Sequence, residues 1–151
     1  MAKPNQRAID LYYKKLKAAK ASNTAARSAV FAALYESDHE PLSMAKLITL
    51  TKAYADRASI YRSVHLLEEI GVIHRLHIGW KYKLELSDDF HGHHHHITCS
   101  QCGDTHATHD DETFEALLAQ LAAKHGYTIT DHQLDIKGIC QSCQLKTTIN
   151  K

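Results

Sequence analysis

The sequence lacks the features that would place it in a membrane or in an oxidising compartment. No apolar run among its 151 residues is long enough to span a bilayer. The first ten residues, MAKPNQRAID, do not resemble an apolar secretion segment, so we expect a cytoplasmic protein in which disulfides are rare. The H-E-x-x-H helix of metalloproteases is also missing, and no His-Asp-Ser combination stands out. We therefore do not expect an enzyme.

Cysteine is scarce, and its arrangement is informative. All four cysteines fall into two C-x-x-C pairs, Cys99 with Cys102 and Cys140 with Cys143. Two cysteines three apart can both bind one ion from a tight turn, and two such turns supply the four thiolates that a structural zinc prefers. Two disulfides or a thioredoxin-like redox motif are the alternatives, but a reducing compartment and the matched pairs disfavour them. The sequence therefore predicts a closed structural Zn²⁺ site.

Histidine, by contrast, is abundant. Nine of the 13 histidines lie within residues 91–132, and four of them are consecutive. In a strand, His93 and His95 would lie on one face, and His94 and His96 on the other, so one strand could supply two ligand sets. A nonspecific metal-binding tract or an engineered tag is the alternative, although the run lies far from both termini. The other polar candidates in this half are Glu85, His106, His109, Glu115 and His132.

The small net charge of +1 conceals an uneven distribution. Residues 1–84 contain 14 Lys and Arg against 7 Asp and Glu, whereas residues 85–151 contain 4 against 10. The formal balances are +7 and −6. A basic half joined to an acidic, ligand-rich half is typical of a polyanion binder combined with a cation binder.

The first half has the element order of a DNA-binding domain. Apolar residues recur at helical spacing in four segments. The predicted helices begin near Gln6, after Ser22-Asn23-Thr24, after Ser43, and at Asp56 or Ser59, and Gly71 ends the fourth. The period then changes to two, which predicts a hairpin of residues 72–78 and 80–86 around Gly79. Helices followed by a hairpin indicate a winged helix-turn-helix, in which the last helix enters the DNA major groove.

The fourth helix, DRASIYRSVHLLEEIG, is the candidate recognition helix. Arg57, Ser59, Tyr61 and Arg62 cluster near its beginning, where side chains and backbone N–H groups can meet phosphates and base edges. An ordinary amphipathic helix with two arginines on its solvent face is the alternative. The basic charge of this half favours DNA binding.

The second half predicts a mixed domain. We expect short strands at Ile97–Cys99 and Thr105–His109, a helix over Asp111–His125, and a strand over Tyr127–Ile136. The apolar residues expected to be buried on that helix are Phe114, Leu117, Leu118 and Leu121.

Five ordered motifs resemble one known family. They are Thr24-Ala25-Ala26-Arg27, Ser59-Ile60-Tyr61-Arg62, the run from Leu66 to Ile73, the HHHHITCSQCG run from His93 to Gly103, and the run from His132 to Cys140. The chain thereby resembles the ferric-uptake-regulator family of bacterial metal-sensing transcription factors. The resemblance implies an α+β fold, with a winged helix-turn-helix domain at residues 1–86, a hinge at about 86–92, and a small α/β dimerisation domain at 87–151. It also implies a homodimer on a palindromic DNA operator.

The resemblance further implies the ligand roles. The regulatory metal would be bound between the domains by His39, Glu85, His94 and His96, and a second metal by His93, His95, Glu115 and His132. Arg27 joins the recognition-helix residues as a DNA contact. The family often has Asp where this chain has His95, and usually has Glu where Ala107 stands, for which His106 or His109 could substitute.

The expected function is a repressor of metal-homeostasis genes that binds DNA when Fe(II), Mn(II) or Zn(II) is plentiful. Three alternatives are a zinc-ribbon DNA-binding protein without sensing, a metal storage or delivery protein, and a metallohydrolase. A fourth, the peroxide-sensing branch of the family, usually has Asp in place of Glu85.

Overall fold

The computed structural model describes residues 4–78, 81–108, 112–130, 132 and 134–149. The chain divides into two compact units, Met1–Gly92 and His93–Lys151. The domain limits and the hinge at about 86–92 that the resemblance implies remain a prediction. Within the described ranges, no helix has the length and apolar character needed to cross a membrane.

Four helices form most of the first unit. They are α1 (Gln6–Ala18), α2 (Ala25–Glu36), α3 (Met44–Thr51) and α4 (Arg57–Glu69). Each begins after a polar residue whose side chain accepts a hydrogen bond from a backbone N–H of the first turn, namely Asn5, Thr24, Ser43 and Asp56. The predicted caps Thr24, Ser43 and Asp56 are thus confirmed. Gly71 follows α4 in the left-handed conformation, with φ +68°, and this ends the helix.

A three-stranded antiparallel sheet completes the winged helix. Strands β1 (Leu42–Ser43), β2 (Ile73–Ile78) and β3 (Lys81–Leu86) lie in the order β1-β3-β2. The predicted hairpin is confirmed, although Gly79 and Trp80 lie outside the described residues. Strand β1 was not predicted, because two residues are too short to show a period of two.

The core of this unit is one apolar cluster between the helices and the sheet. Val30, Leu47, Leu67 and Leu84 are fully buried in it. Phe31 was not predicted to face inward, yet it is buried and stacks on the Tyr12 ring, with ring centroids 4.3 Å apart. Ala33 and Ile48 are only partly buried and pack against the edge of the cluster.

A short helix, α5 (Asp88–His91), ends the first unit. It falls in the segment predicted as a hinge. The Phe90 ring meets the Phe31 ring edge-on, with centroids 5.4 Å apart, and Lys15 Nζ lies 2.7 Å from Asp89 Oδ2. Packing on the core, rather than helix propensity, accounts for this single turn, because so short a helix is not stable alone.

The second unit is a small sheet with two helices. Strands β4 (His95–Cys99), β5 (Thr105–Thr108) and β6 (Asp135–Gly138) lie in the order β5-β4-β6. Strand β4 pairs antiparallel with β5 and parallel with β6. The helices are α6 (Glu112–Lys124) and α7 (Gln141–Ile149), of which α7 was not predicted.

Two expectations for this unit were wrong. Among the described residues, the strand predicted over Tyr127–Ile136 is confined to β6, because a strand needs a neighbouring backbone and, of those described, only residues 135–138 pair with β4. On α6, Leu117 and Leu121 are 60% and 56% exposed, whereas Phe114 and Leu118 are half-buried. Helical spacing identifies a face that can be buried, but no described element of this chain covers it.

The core of the first unit predicts the cost of truncation. Replacing the fully buried Leu67 by alanine is expected to lower the free energy of unfolding by about 2–5 kcal/mol, because it leaves a cavity. Leu50→Ala is the matched control, since Leu50 is 45% exposed, and its effect should stay below about 1 kcal/mol. Urea unfolding followed by circular dichroism measures both; equal effects would contradict the described core.

Candidate metal centres and nucleic-acid surface

The parallel pairing of β4 with β6 brings the two C-x-x-C turns together. Cys99 ends β4 and lies opposite Gly138, which ends β6 two residues before Cys140. The backbone N–H of Cys140 donates a hydrogen bond to Cys99 Sγ at 3.3 Å. The sulfur atoms of the cysteine cluster all lie within 4.8 Å of one another; its members are Cys99, Cys102, Cys140 and Cys143.

The geometry of the cysteine cluster fits a shared metal ion. Cys102 Sγ and Cys140 Sγ are 3.7 Å apart, and none of the four cysteines forms a disulfide. Zn–S bonds of about 2.3 Å in a tetrahedron place sulfur atoms about 3.8 Å apart, whereas a disulfide requires about 2 Å. Backbone N–H groups, first that of Cys140 and then that of Cys102, lower the pKa of Cys99 to about 6. The lowered pKa favours the thiolate form of Cys99, which is the form that binds metal.

The same strand register builds a second ligand group at the other end of the sheet. Strands β4 and β6 run parallel, and His96 pairs with Asp135. Continuing the same register three residues toward the N-terminus in both segments brings His93 beside His132. Their Nε2 atoms are 3.1 Å apart. The histidine–glutamate cluster consists of these two residues with His95 and Glu115.

Glu115, in the first turn of α6, completes this cluster. Its Oε1 atom lies 2.9 Å from His95 Nε2, 3.2 Å from His132 Nε2 and 3.8 Å from His93 Nε2. Bonds of 2.0–2.1 Å in a tetrahedral site place ligand atoms about 3.3 Å apart, so these separations fit three imidazoles and one carboxylate around one ion. The hydrogen bond from His95, followed by the charge of His132, lowers the pKa of Glu115 and keeps its carboxylate ionised.

The remaining two histidines of the run lie together. The rings of His94 and His96 have centroids 4.8 Å apart, as do those of His93 and His95. The expected alternation of the run is therefore observed, and His96 is buried. Glu85, in the first unit, is half-buried on β3 and pairs with His74 of β2.

His39 lies in a group that the sequence did not predict. In the first unit, its ligand atom and those of Asp38 and His91 lie within 4.8 Å of one another. The only sequence signal was that His91 belongs to the histidine-rich segment. His106 is exposed and hydrogen-bonded to Asp104 Oδ2 at 3.0 Å, apart from the ligand groups above, and His109 lies outside the described residues.

The beginning of α4 presents a polar surface. The Arg57 guanidinium lies over the Tyr61 ring, 5.7 Å from its centroid, and Tyr61 is 42% exposed. Arg62 Nη2 donates to Ser59 Oγ at 2.9 Å, and Ser59 Oγ donates to Asp56 Oδ2 at 2.6 Å. This chain of bonds orients Arg62 and lowers the pKa of Asp56. The arrangement suits contacts to an anionic backbone.

Arg27 has a different environment. Its Nη1 atom donates hydrogen bonds to the Ser22 carbonyl oxygen and, at 3.4 Å, to Ser22 Oγ. Arg27 therefore fastens the connection between α1 and α2. Its predicted contact with DNA stays a prediction.

Comparison with known proteins identifies the family. The profile of the Ferric uptake regulator family matches residues 18–137. The Ferric uptake regulation protein of Neisseria meningitidis serogroup B is 38% identical over 92 residues, which cover 59% of this chain and 60% of the Neisseria protein. The chain thus spans about three fifths of the length of the relatives that it matches at this identity. The Bacillus subtilis protein of the same name is 29% identical over 148 residues, 93% of this chain and 97% of that protein.

Solved structures agree with this assignment. The Francisella tularensis ferric uptake regulator, solved with iron, aligns with a TM-score of 0.70 and 26% identity over 82% of this chain and 94% of that chain. The Helicobacter pylori regulator, reported to have three functional metal binding sites, aligns with a TM-score of 0.78 and 22% identity over 95% of this chain and 97% of its own. The predicted α+β fold is thereby confirmed. The chain belongs to the ferric uptake regulator family.

Proposed function

We propose that the protein is a metal-dependent DNA-binding repressor of metal-homeostasis genes. The observation that supports this most is that β4 contributes to two ligand groups, the histidine–glutamate cluster through His95 and the cysteine cluster through Cys99. The other unit of the same chain is a basic winged helix. A storage protein would not need the winged helix, and a zinc ribbon without sensing would not need the histidines. In this proposal the protein is a cytoplasmic homodimer, whose two recognition helices bind the half-sites of a palindromic operator.

Zn²⁺ is proposed as the structural ion of the cysteine cluster. Four thiolates leave no open position, which suits an architectural role rather than catalysis. The cluster joins the turn after β4 to the beginning of α7, which contains Cys143. Zinc bound there would therefore hold β4 and β6 in register.

Nitrogen and oxygen ligands are proposed to hold the sensed metal. The proposed regulatory ligands are His39, Glu85, His94 and His96, and the histidine–glutamate cluster is the proposed second site. Such donors suit Fe(II), Mn(II) or Zn(II). The iron found with the Francisella tularensis relative supports Fe(II) as a candidate. Because the regulatory ligands come from both units, one ion bound by all of them would favour a single arrangement of the recognition helices.

Metal and DNA then stabilise the same conformation. Each must tighten the binding of the other by a common factor, typically about 5–150-fold. The function is therefore testable by measuring DNA affinity as a function of metal.

The first test is an anaerobic fluorescence-anisotropy titration of DNA from upstream of the protein's own gene. We expect Fe(II), Mn(II) or Zn(II) to tighten binding by at least about fivefold, and His94→Ala with His96→Ala to abolish that increase. His106→Ala is the matched control, because His106 is an exposed histidine apart from the ligand groups. An affinity that is indifferent to all three metals would refute the proposal.

The recognition helix gives a second prediction. Arg57→Ala is expected to weaken DNA binding by about 1–3 kcal/mol with or without metal, because it removes a cation from the exposed beginning of α4. Lys124→Ala, at the end of α6, removes a cation from the other unit and should leave the affinity unchanged. The same anisotropy assay measures both, and equal losses would show that α4 is not the contact.

The cysteine cluster gives a third prediction. Cys143→Ser is expected to remove zinc from the purified protein and to lower the melting temperature of the second unit, because structural zinc contributes on the order of 10 kcal/mol to folding in small metal-dependent domains. Ser142→Ala, the neighbouring change on α7, should retain about one zinc per chain. Elemental analysis and calorimetry measure the two effects. Full zinc content in Cys143→Ser would contradict the assignment.

A further inference from the structure

We propose that Asp38, His39 and His91 form a divalent-metal site within the first unit, separate from the cysteine and histidine–glutamate clusters. The ligand atoms of the three residues lie within 4.8 Å of one another. The rings of His39 and His91 have centroids 4.6 Å apart, and Asp38 Oδ1 lies 3.9 Å from His39 Nε2. Two imidazoles and one carboxylate are a common donor set for borderline divalent ions.

The first side of this site is a tight turn after α2. Asp38 and His39 have φ values of +46° and +67°, in the left-handed region that residues other than glycine rarely adopt. The turn is closed by two backbone hydrogen bonds, in which Asp38 N–H donates to the Tyr35 carbonyl oxygen and Glu40 N–H donates to the Ser37 carbonyl oxygen. Consecutive left-handed residues are costly, and such strain is often found where side chains are held for a ligand.

The second side is α5, which holds His91 by packing. The His91 ring lies against the Tyr35 ring, with centroids 5.2 Å apart. The preceding residue, Phe90, packs on Phe31 of the core, and Asp89 pairs with Lys15 of α1. His91 is therefore positioned before any ion arrives, which reduces the entropic cost of binding.

The donor set predicts an exchangeable ion. Three protein ligands leave coordination positions for water, unlike the closed shell of four thiolates. The Asp38 side chain is 83% exposed, so an ion can reach the site from solvent, whereas the His39 side chain is 27% exposed. Binding would join the turn after α2 to α5, the segment from which the chain leaves the first unit at Gly92.

This site gives His39 different partners from those in the proposed regulatory set. In the regulatory set, removal of His91 should have no effect on metal binding. In the site proposed here, His91 is a ligand, so its removal must weaken binding. The variant His91→Ala therefore separates the two assignments of His39.

The test uses Co(II) and the full-length, zinc-loaded protein. Equilibrium dialysis is expected to show that His91→Ala and His39→Ala each weaken the binding of one Co(II) equivalent by roughly tenfold or more. The exposed control His106→Ala should bind that equivalent as tightly as the wild-type protein. Paramagnetic Co(II) should also shift the ring proton signals of Tyr35 in the wild-type nuclear magnetic resonance spectrum, because that ring touches His91. His91→Gln, which keeps more of the packing on Tyr35, serves as a second variant if circular dichroism shows that His91→Ala is unfolded.

Two results would overturn the site. One is that both His91 variants bind Co(II) with the same stoichiometry and affinity as the wild-type protein. The other is that the Tyr35 ring signals do not respond to Co(II). If only His39→Ala loses an equivalent, His39 belongs to the regulatory set, and the proposed function stands without this site. Conversely, if DNA binding by the wild-type protein proves independent of metal, the proposed function fails but the Co(II) result still tests this site.

Discussion

The fixed register of β4 is the constraint on which the second unit depends. This strand lies between β5 and β6, and hydrogen bonds on both edges determine which residues face which side. His93 and His95 then meet Glu115 and His132, while His94 and His96 lie together and Cys99 reaches the cysteine cluster. A shift of one residue would exchange the two histidine pairs and withdraw Cys99 from its partners, so the metal chemistry and the strand pairing specify each other.

The interior of the second unit explains why ions would matter for its stability. Among its described residues, the buried side chains are polar or carry sulfur: His95, His96, Thr98, Cys99, Thr105 and Cys143. The first unit instead buries a continuous aliphatic and aromatic core. A unit of about 60 residues without such a core usually needs metal ions or a second subunit to fold. The exposed Leu117 and Leu121 of α6 agree with that requirement.

The sequence predicted those features that depend on local chemistry. Cap residues located the beginnings of α2, α3 and α4, the change of period located the hairpin, and the spacing of the cysteines grouped them correctly. Features that depend on distant partners were missed. The two-residue β1 exists only because β3 lies beside it, and α7 follows Cys140 without a clear apolar period. The contact between His91 and His39 depends on α5, which is stabilised by packing on Phe31. No sequence pattern predicted this helix.

Thermodynamic linkage between the ion and the operator is the central claim. If both favour one conformation, the affinity for the metal must rise in the presence of DNA by the same factor by which the affinity for DNA rises in the presence of metal. The most direct measurement is therefore isothermal titration of the sensed ion into the zinc-loaded protein, with and without saturating operator. Our account predicts equal factors, on the order of 5–150-fold, in the two directions. A metal affinity that is unchanged by operator DNA would contradict it.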